Sequence, residues 1–327
     1  MRVTNSMMTK SFLRDMNRNL SGLNRLNQQL TSGKEISKPS DDPFKVARSM
    51  QLNSDIQANK QYNENIKDTI NWLDTTDTAL EQLGNTTQRI RELMVSAGNA
   101  AYGSDEKTAL QDEINERVNE MSQILNTSFD GKYVFGGTKT SSKPIGVDND
   151  AFGNREMYYS GKEGERLFPG EIVSDSQIDM INSKLNVEIS QGVTMDYNVS
   201  ASEVLNFTNE DGSNIDVMKL MSEISYNVGS ANNEESSKVV NENLSAMDAV
   251  LTNINKLRSE VGSKQNRMES AQAQNEDQNY NMTEILSETE DIDFAQKTME
   301  VATMQTVYTA SLQTSAKILQ PTLLDYI

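Results

Sequence analysis

The 327-residue chain contains no cysteine and no histidine. The first absence excludes disulfides and thiolate ligands. The two together exclude Ser-His-Asp and Cys-His catalytic groups and most zinc sites. Carboxylate, lysine and tyrosine chemistry is left, but nothing in the sequence gathers those residues into a cluster. Apolar residues are also scarce: 35% of the chain is hydrophobic and the mean hydropathy is −0.63. That is thin cover for one large globule and ordinary for narrow helical stalks. No apolar run approaches the roughly 18 residues of a membrane span. Positive charge is short as well, with 30 Lys and Arg against 48 Asp and Glu, a net charge of −18. No basic stripe marks a nucleic-acid surface, and acidic membrane surfaces repel such a chain. Met1–Lys10 carries Arg2 and Lys10 with no apolar block behind them. The expectation is a cytoplasmic protein, or one exported without a cleaved signal.

What is present is helical periodicity at both ends. Leu13, Met16, Leu20, Leu23, Leu26 and Leu30 recur at three and four residues and predict one helix. It should stop near Ser32-Gly33, where glycine takes a left-handed cap. Pro39 and Pro43 bracket a short loop. Ser40 or Asp42 can cap the next helix, and Pro43 suits its first turn. That second helix should run from Phe44 to Ala97 on a stripe including Ile56, Ile66, Leu73, Leu80, Leu83 and Ile90. A turn at Gly98–Gly103 leads into a third helix carrying Leu110, Ile114, Val118, Met121 and Leu125. So short a turn implies that it folds back antiparallel.

From Asp130-Gly131 the character changes. Ten of the seventeen glycines lie between Gly131 and Gly212. The segments 132–135, 157–159, 166–168, 185–189 and 194–197 read as short strands between turns. Asp216 then caps a helical stretch through Val217, Leu220, Met221 and Ile224. Helix returns from about Glu234 with Leu244, Met247, Leu251, Ile254 and Val261. The positions Met282, Ile285, Thr289, Ile292, Gln296, Met299, Thr303, Thr306 and Ala310 then alternate three and four apart as one seam. Several are small or polar, so the seam is weak for an isolated pair. Phe294, Val301, Val307, Tyr308 and Leu312 widen the face, and a helix with more than one apolar face needs more than one neighbour. The fold class is mainly α: long helices from both termini forming a coiled-coil pair and a helical bundle, with an inserted small antiparallel β domain. Two helical ends parted by a whole insertion point to a building block rather than an enzyme.

Four stretches resemble the flagellin family, in its hook-associated branch. They are Met1–Met8, Leu30–Lys34 continuing to Ser40–Pro43, Gly131–Gly137, and Ser315-Ala316-Lys317 with Leu323–Ile327. The resemblance covers roughly 1–140 and 235–327. Gln320-Pro321-Thr322 departs from the family pattern and leaves the end of the last helix open. The resemblance implies three layers: 1–43 with 285–327 as a terminal coiled-coil domain, 44–130 with 215–284 as a helical bundle, and 131–214 as an outer β domain. It implies a structural junction protein of the bacterial flagellum, lying outside the cell and exported through the flagellar type III channel. It also implies a ring of about eleven copies. The implied partners are other copies of the chain, a FlgK-type hook-associated protein, flagellin, and a FlgN-type export chaperone on the C-terminal helix. No nucleic acid, membrane insertion, metal or cofactor is expected. The rival within the family is a flagellin that polymerises by itself.

The residues expected at subunit contacts are Leu13, Leu20, Leu23, Leu30, Ser40, Asp41, Asp42, Pro43, Ile292, Met299, Leu312, Leu323, Leu324, Tyr326 and Ile327. Trp72 and Phe135, beside apolar neighbours, are expected in a core. Asp148-Asn149-Asp150 and Glu210–Asn214 offer oxygens but match no calcium loop, and read as solvated turns.

Overall fold

The computed structural model describes residues 5–98, 103–151, 153–168, 170–209, 212–230 and 239–318. Eight α-helices are present among them: α1 Asn5–Ser32, α2 Pro43–Ala97, α3 Ser104–Leu125, α4 Ile172–Asn182, α5 Ala201–Leu205, α6 Val217–Gly229, α7 Leu244–Glu290 and α8 Phe294–Ile318. A π-helical turn, Val239–Asn243, leads into α7. Eight short strands form β1 Ser128–Phe129, β2 Lys132–Tyr133, β3 Ile145–Asn149, β4 Arg155–Tyr159, β5 Asn186–Ser190, β6 Val193–Asp196, β7 Asn206–Thr208 and β8 Asn214–Asp216. The chain divides into two compact units, Asn59–Glu276 and Met1–Ala58 with Asp277–Ile327. Helices α2 and α7 contribute residues to both.

The central unit is built on four helices around one core. In α2, Ile66, Leu73, Leu80, Leu83, Ile90 and Met94 are fully buried. Their spacing of seven, or of three and four, puts them on one face. They meet Ile114, Val118, Met121 and Leu125 of α3, Val217, Met221 and Ile224 of α6, and Met247, Val250, Ile254 and Val261 of α7. The pairs Arg91–Asp248 (2.6 Å) and Arg258–Asp77 (3.0 Å) run in opposite directions along α2 and α7, so these helices are antiparallel. At the end of this seam Asn59 Nδ2 donates to the Asn275 carbonyl (2.8 Å), and Asn275 Nδ2 to the Ile189 carbonyl (2.8 Å).

The insertion is not one sheet. Among the described residues it is four separate antiparallel hairpins, β1–β2, β3–β4, β5–β6 and β7–β8, with α4 and α5 between them. Asp130 and Gly131 join β1 to β2 with φ of 49° and 73°, the left-handed pair that a two-residue hairpin turn needs. Val134 and Phe135 leave the expected strand and enter the helical core, fully buried. Arg166–Phe168 is reduced to a single bridge with Ser160, because Arg166 is drawn sideways onto the Glu156 carboxylate (2.9 and 2.6 Å) and Leu167 into the core. The apolar residues of the hairpins, among them Ile145, Met157, Ile189 and Met195, belong to the same core as the helices. Trp72 is buried and meets Phe129 and Tyr197 edge-on, with ring centroids at 6.1 and 5.8 Å.

In the terminal unit α1 packs along α8. Gly22 lies beside Met304, and Gly33 beside Ile292, so the two helices are antiparallel. The seam expected to run unbroken from Met282 to Ala310 is interrupted: α7 ends at Glu290 and α8 begins at Phe294. Each of the three residues between has a better partner outside a helix. Asp291 accepts from Lys34 and from Ser287 (2.5 Å). The Ile292 N–H donates to the Gly33 carbonyl (3.1 Å). Asp293 Oδ1 caps α8, accepting from the N–H groups of Ala295 (2.9 Å) and Gln296 (3.1 Å).

Candidate assembly interface

The terminal unit closes its connections carefully and its apolar faces poorly. Helix α1 ends with Gly33 at φ 72°, its N–H on the Gln29 carbonyl (2.8 Å). The loop that follows is tied down at both ends. Gln29 Nε2 donates to the Glu35 carbonyl (2.6 Å), and Lys45 pairs with Glu35 (2.7 Å). The Asp41 carboxylate accepts from the N–H groups of Ser37 (3.3 Å) and Lys38 (3.1 Å). Of the two capping candidates, Asp42 is the one used: its Oδ1 accepts from Phe44 and Lys45 N–H, both at 3.1 Å, and Pro43 occupies the first helical position. Ser40, Asp41 and Pro43 stay exposed.

Lys34 and Asp291 face each other in an isolated antiparallel bridge. The Glu35 N–H donates to the Glu290 carbonyl (2.6 Å) on one side, and the Ile292 N–H to the Gly33 carbonyl on the other. The Lys34 ammonium lies 2.8 Å from Asp291 and 2.9 Å from Glu290. Hydrogen bonding to Asp291, then to Glu290, raises the Lys34 pKa above its usual value. The same bond from Lys34, with that from Ser287, holds the Asp291 carboxyl below the usual aspartate value.

Beyond this polar closure, burial is shallow. The only buried hydrophobic residues among those described in this unit are Ile56, Ile292 and Val301. On α1, Leu23 and Leu30 are half-buried while Leu13 and Leu20 are exposed. On α8 the face turned inward carries Val301, Met304, Tyr308, Ser311 and Ser315, all buried or half-buried. The seam expected from the sequence, Gln296, Met299, Thr303, Thr306 and Ala310, lies open to solvent, and Met299 is 65% exposed. Leu312 is exposed too. The sequence pattern therefore carries two faces of α8, and the chain itself covers the other one. Leu323, Leu324, Tyr326 and Ile327 lie outside the described residues.

Several residues at this surface escaped the sequence reading. Phe44, at 77% exposure, and Met50 are open to solvent. Lys34, Glu290 and Asp291 form the bridge. An apolar residue just after a capped Pro43 was the available signal for Phe44; nothing local signals a contact 257 residues apart.

The described residues hold no group of three or more acidic side chains placed for a metal. Asp150 is engaged by Asn154 N–H (2.8 Å) within a hairpin loop. A cavity of about 460 Å³ beside Trp72, Phe129 and Tyr197 is lined on its polar side by Asp68, Thr69, Asp130 and Lys132. Among the described residues, no helix is long and apolar enough to cross a membrane.

Residues 3–140 match the family model of the bacterial flagellin N-terminal helical region, and residues 244–327 that of the C-terminal helical region. The chain is 28% identical to phase 2 flagellin of Salmonella abortus-equi over 199 residues, covering 61% of this chain and 36% of that protein. It is 29% identical to flagellin of Clostridium tyrobutyricum over 138 residues, covering 42% and 37%. The matched segments thus span little more than a third of those flagellins. The fold is shared with a putative flagellar hook-associated protein from Vibrio parahaemolyticus (TM-score 0.60, 19% identity, 77% of this chain and 100% of that one). It is shared too with flagellar hook-associated protein-3 from Legionella pneumophila (0.58, 14%, 73% and 98%) and with Bacillus cereus FlgL (0.51, 18%, 72% and 99%). With both helical regions of the family in one chain, around a terminal pair whose faces are half covered, the protein belongs to the flagellin family of structural flagellar proteins.

Proposed function

We propose that this chain is the adaptor between hook and filament, assembling as a ring on a FlgK-type zone and receiving flagellin on its other side. The observation that carries this reading is the shared fold: solved hook-associated chains match this one at TM-scores of 0.60, 0.58 and 0.51, over nearly their whole length. In the assembly, 1–43 with 285–327 form the innermost polymerising layer, 44–130 with 215–284 the bundle around it, and 131–214 the outer layer. Leu13, Leu20, Met299 and Leu312 meet neighbouring copies, as does the exposed loop at Ser40–Pro43, with Leu323–Ile327 completing the interface. Burial there supplies the stability that the isolated terminal pair lacks. Before assembly the chain leaves the cell through the type III channel, with its C-terminal helix held by a FlgN-type chaperone. The protein then works outside the cell.

The second reading, a self-polymerising flagellin, is favoured by the sequence identities to flagellins. Electron microscopy of the purified protein with isolated hooks separates the two. The adaptor gives short caps at hook ends that seed added flagellin. Long filaments from this chain alone would overturn the first reading in favour of the second.

A further inference from the structure

The packing of α1 on α8 does little to choose its own register. No hydrophobic residue of α1 is fully buried among those described. Its half-buried Met16, Leu23 and Leu30 recur at seven residues, so a slip of one heptad, about 10.5 Å, puts a similar side chain in each place. Coiled pairs with such repeats rely on a polar feature at one point to specify alignment.

The terminal unit has such a feature where the end of α1 meets the junction of α7 and α8. An antiparallel bridge needs extended backbone on both sides. From Leu244 to Ile318 that backbone exists only at Asp291–Asp293, between α7 and α8. On the other side it exists just beyond Gly33. The two flanking hydrogen bonds leave Lys34 and Asp291 as the closely facing, non-hydrogen-bonded pair, where side chains of opposite charge interact best. Glu290 contacts the same ammonium (2.9 Å). A slip of one heptad would place helix α7 or α8 against Lys34, with no free backbone groups to bridge.

We propose that this bridge is a register clasp, and that Lys34 is the positioning residue that decides which part of α8 lies opposite α1. The clasp is intramolecular. Its consequence for subunit assembly rests on the adaptor reading, because it fixes which apolar residues of the two helices form a common outer surface.

The chain has no cysteine, so cross-linking reports register cleanly in the full-length monomer. Gly22→Cys with Met304→Cys reports the native alignment, because a Cβ at Gly22 would lie 2.9 Å from the end of Met304. Gly22→Cys paired with Lys297→Cys or Ser311→Cys reports slips of one heptad either way. With a short bis-maleimide, the native pair should dominate in the parent and in Lys34→Arg. In Lys34→Glu, which sets like charges against Glu290 and Asp291, the native-to-slipped ratio should fall roughly tenfold. An unchanged ratio overturns the clasp. So does loss of all three products, which would mean that Lys34 holds the helices together without choosing their alignment. Neither result depends on ring assembly, so failure here leaves the adaptor reading standing.

Discussion

The two units of this chain are made of the same element, long amphipathic helices, and finish differently. In the central unit, α2 alone buries six large side chains completely, and α3, α6, α7 and the hairpins close over them. In the terminal unit, polar contacts at Lys34, Asp42 and Asp293 are made in full, yet Leu13, Leu20, Met299 and Leu312 remain open. The difference separates what fixes geometry from what supplies stability. Caps and ion pairs define where helices start and meet, each with a net contribution of order 1 kcal/mol or less at exposed sites. Apolar burial supplies the rest, at about 25 cal/mol per Å². A unit with the first and little of the second is ordered in outline while its apolar faces stay open.

The largest expected effect is in the central core. Leu80→Ala should cost about 2–5 kcal/mol in urea unfolding, from lost burial and a residual cavity. Leu20→Ala should change monomer stability by less than about 0.5 kcal/mol and still impair assembly on hooks, seen by electron microscopy. A Leu20→Ala penalty equal to that of Leu80→Ala would erase the contrast between the units.

Equal chemistry in the two units gives a finer comparison. Asp216 caps α6 in the central unit, accepting from Met218 (3.1 Å) and Lys219 (3.3 Å) N–H, much as Asp42 caps α2. Each Asp→Ala change removes about 1 kcal/mol of local helix stability. For Asp216 the loss should appear in the global unfolding midpoint. For Asp42 it should appear as faster amide exchange at Phe44–Val46 with the midpoint nearly unmoved.

The smallest effect is with pH. Asp291 is held below the usual aspartate value by Lys34, so its contribution is present above about 3.8 and fades as pH falls through its lowered value. Lys34 is raised, so its contribution is present below about 10.5 and fades as pH rises beyond that through its raised value. Amide exchange at Glu35 and Ile292, corrected for intrinsic rates, should therefore show a protected plateau between these limits. The protection of buried α2 amides should not follow the same two edges.

Much of this was legible in the sequence, and for identifiable reasons. Helices α2 and α3 were readable because Ile66, Leu73, Leu80 and Ile114, Val118, Met121 repeat with one period and end at clear caps. The break at Asp291–Asp293 was hidden because Ile292 continues the heptad; the competing partners, Gly33 and Lys34, are remote in sequence. Helix α4 was missed because Ile172, Val173, Ile178, Met180 and Ile181 put apolar residues on both its faces, so no single period stands out. Of the contact residues named from the sequence, Leu13, Leu20, Met299 and Leu312 are open, whereas Leu23 and Leu30 are half-buried and Ile292 is buried. Which α8 seam the chain covers for itself was not legible, because two offset heptads coexist in one helix and only tertiary packing chooses between them.

Hydrogen exchange on the monomer and on the assembled junction tests the central claim most directly. In the monomer, Leu13–Leu30 and Phe294–Ala316 should exchange far faster than Ile66–Met94, and on assembly their protection should rise toward that of the core. Equal protection of the terminal helices in both states would contradict the account.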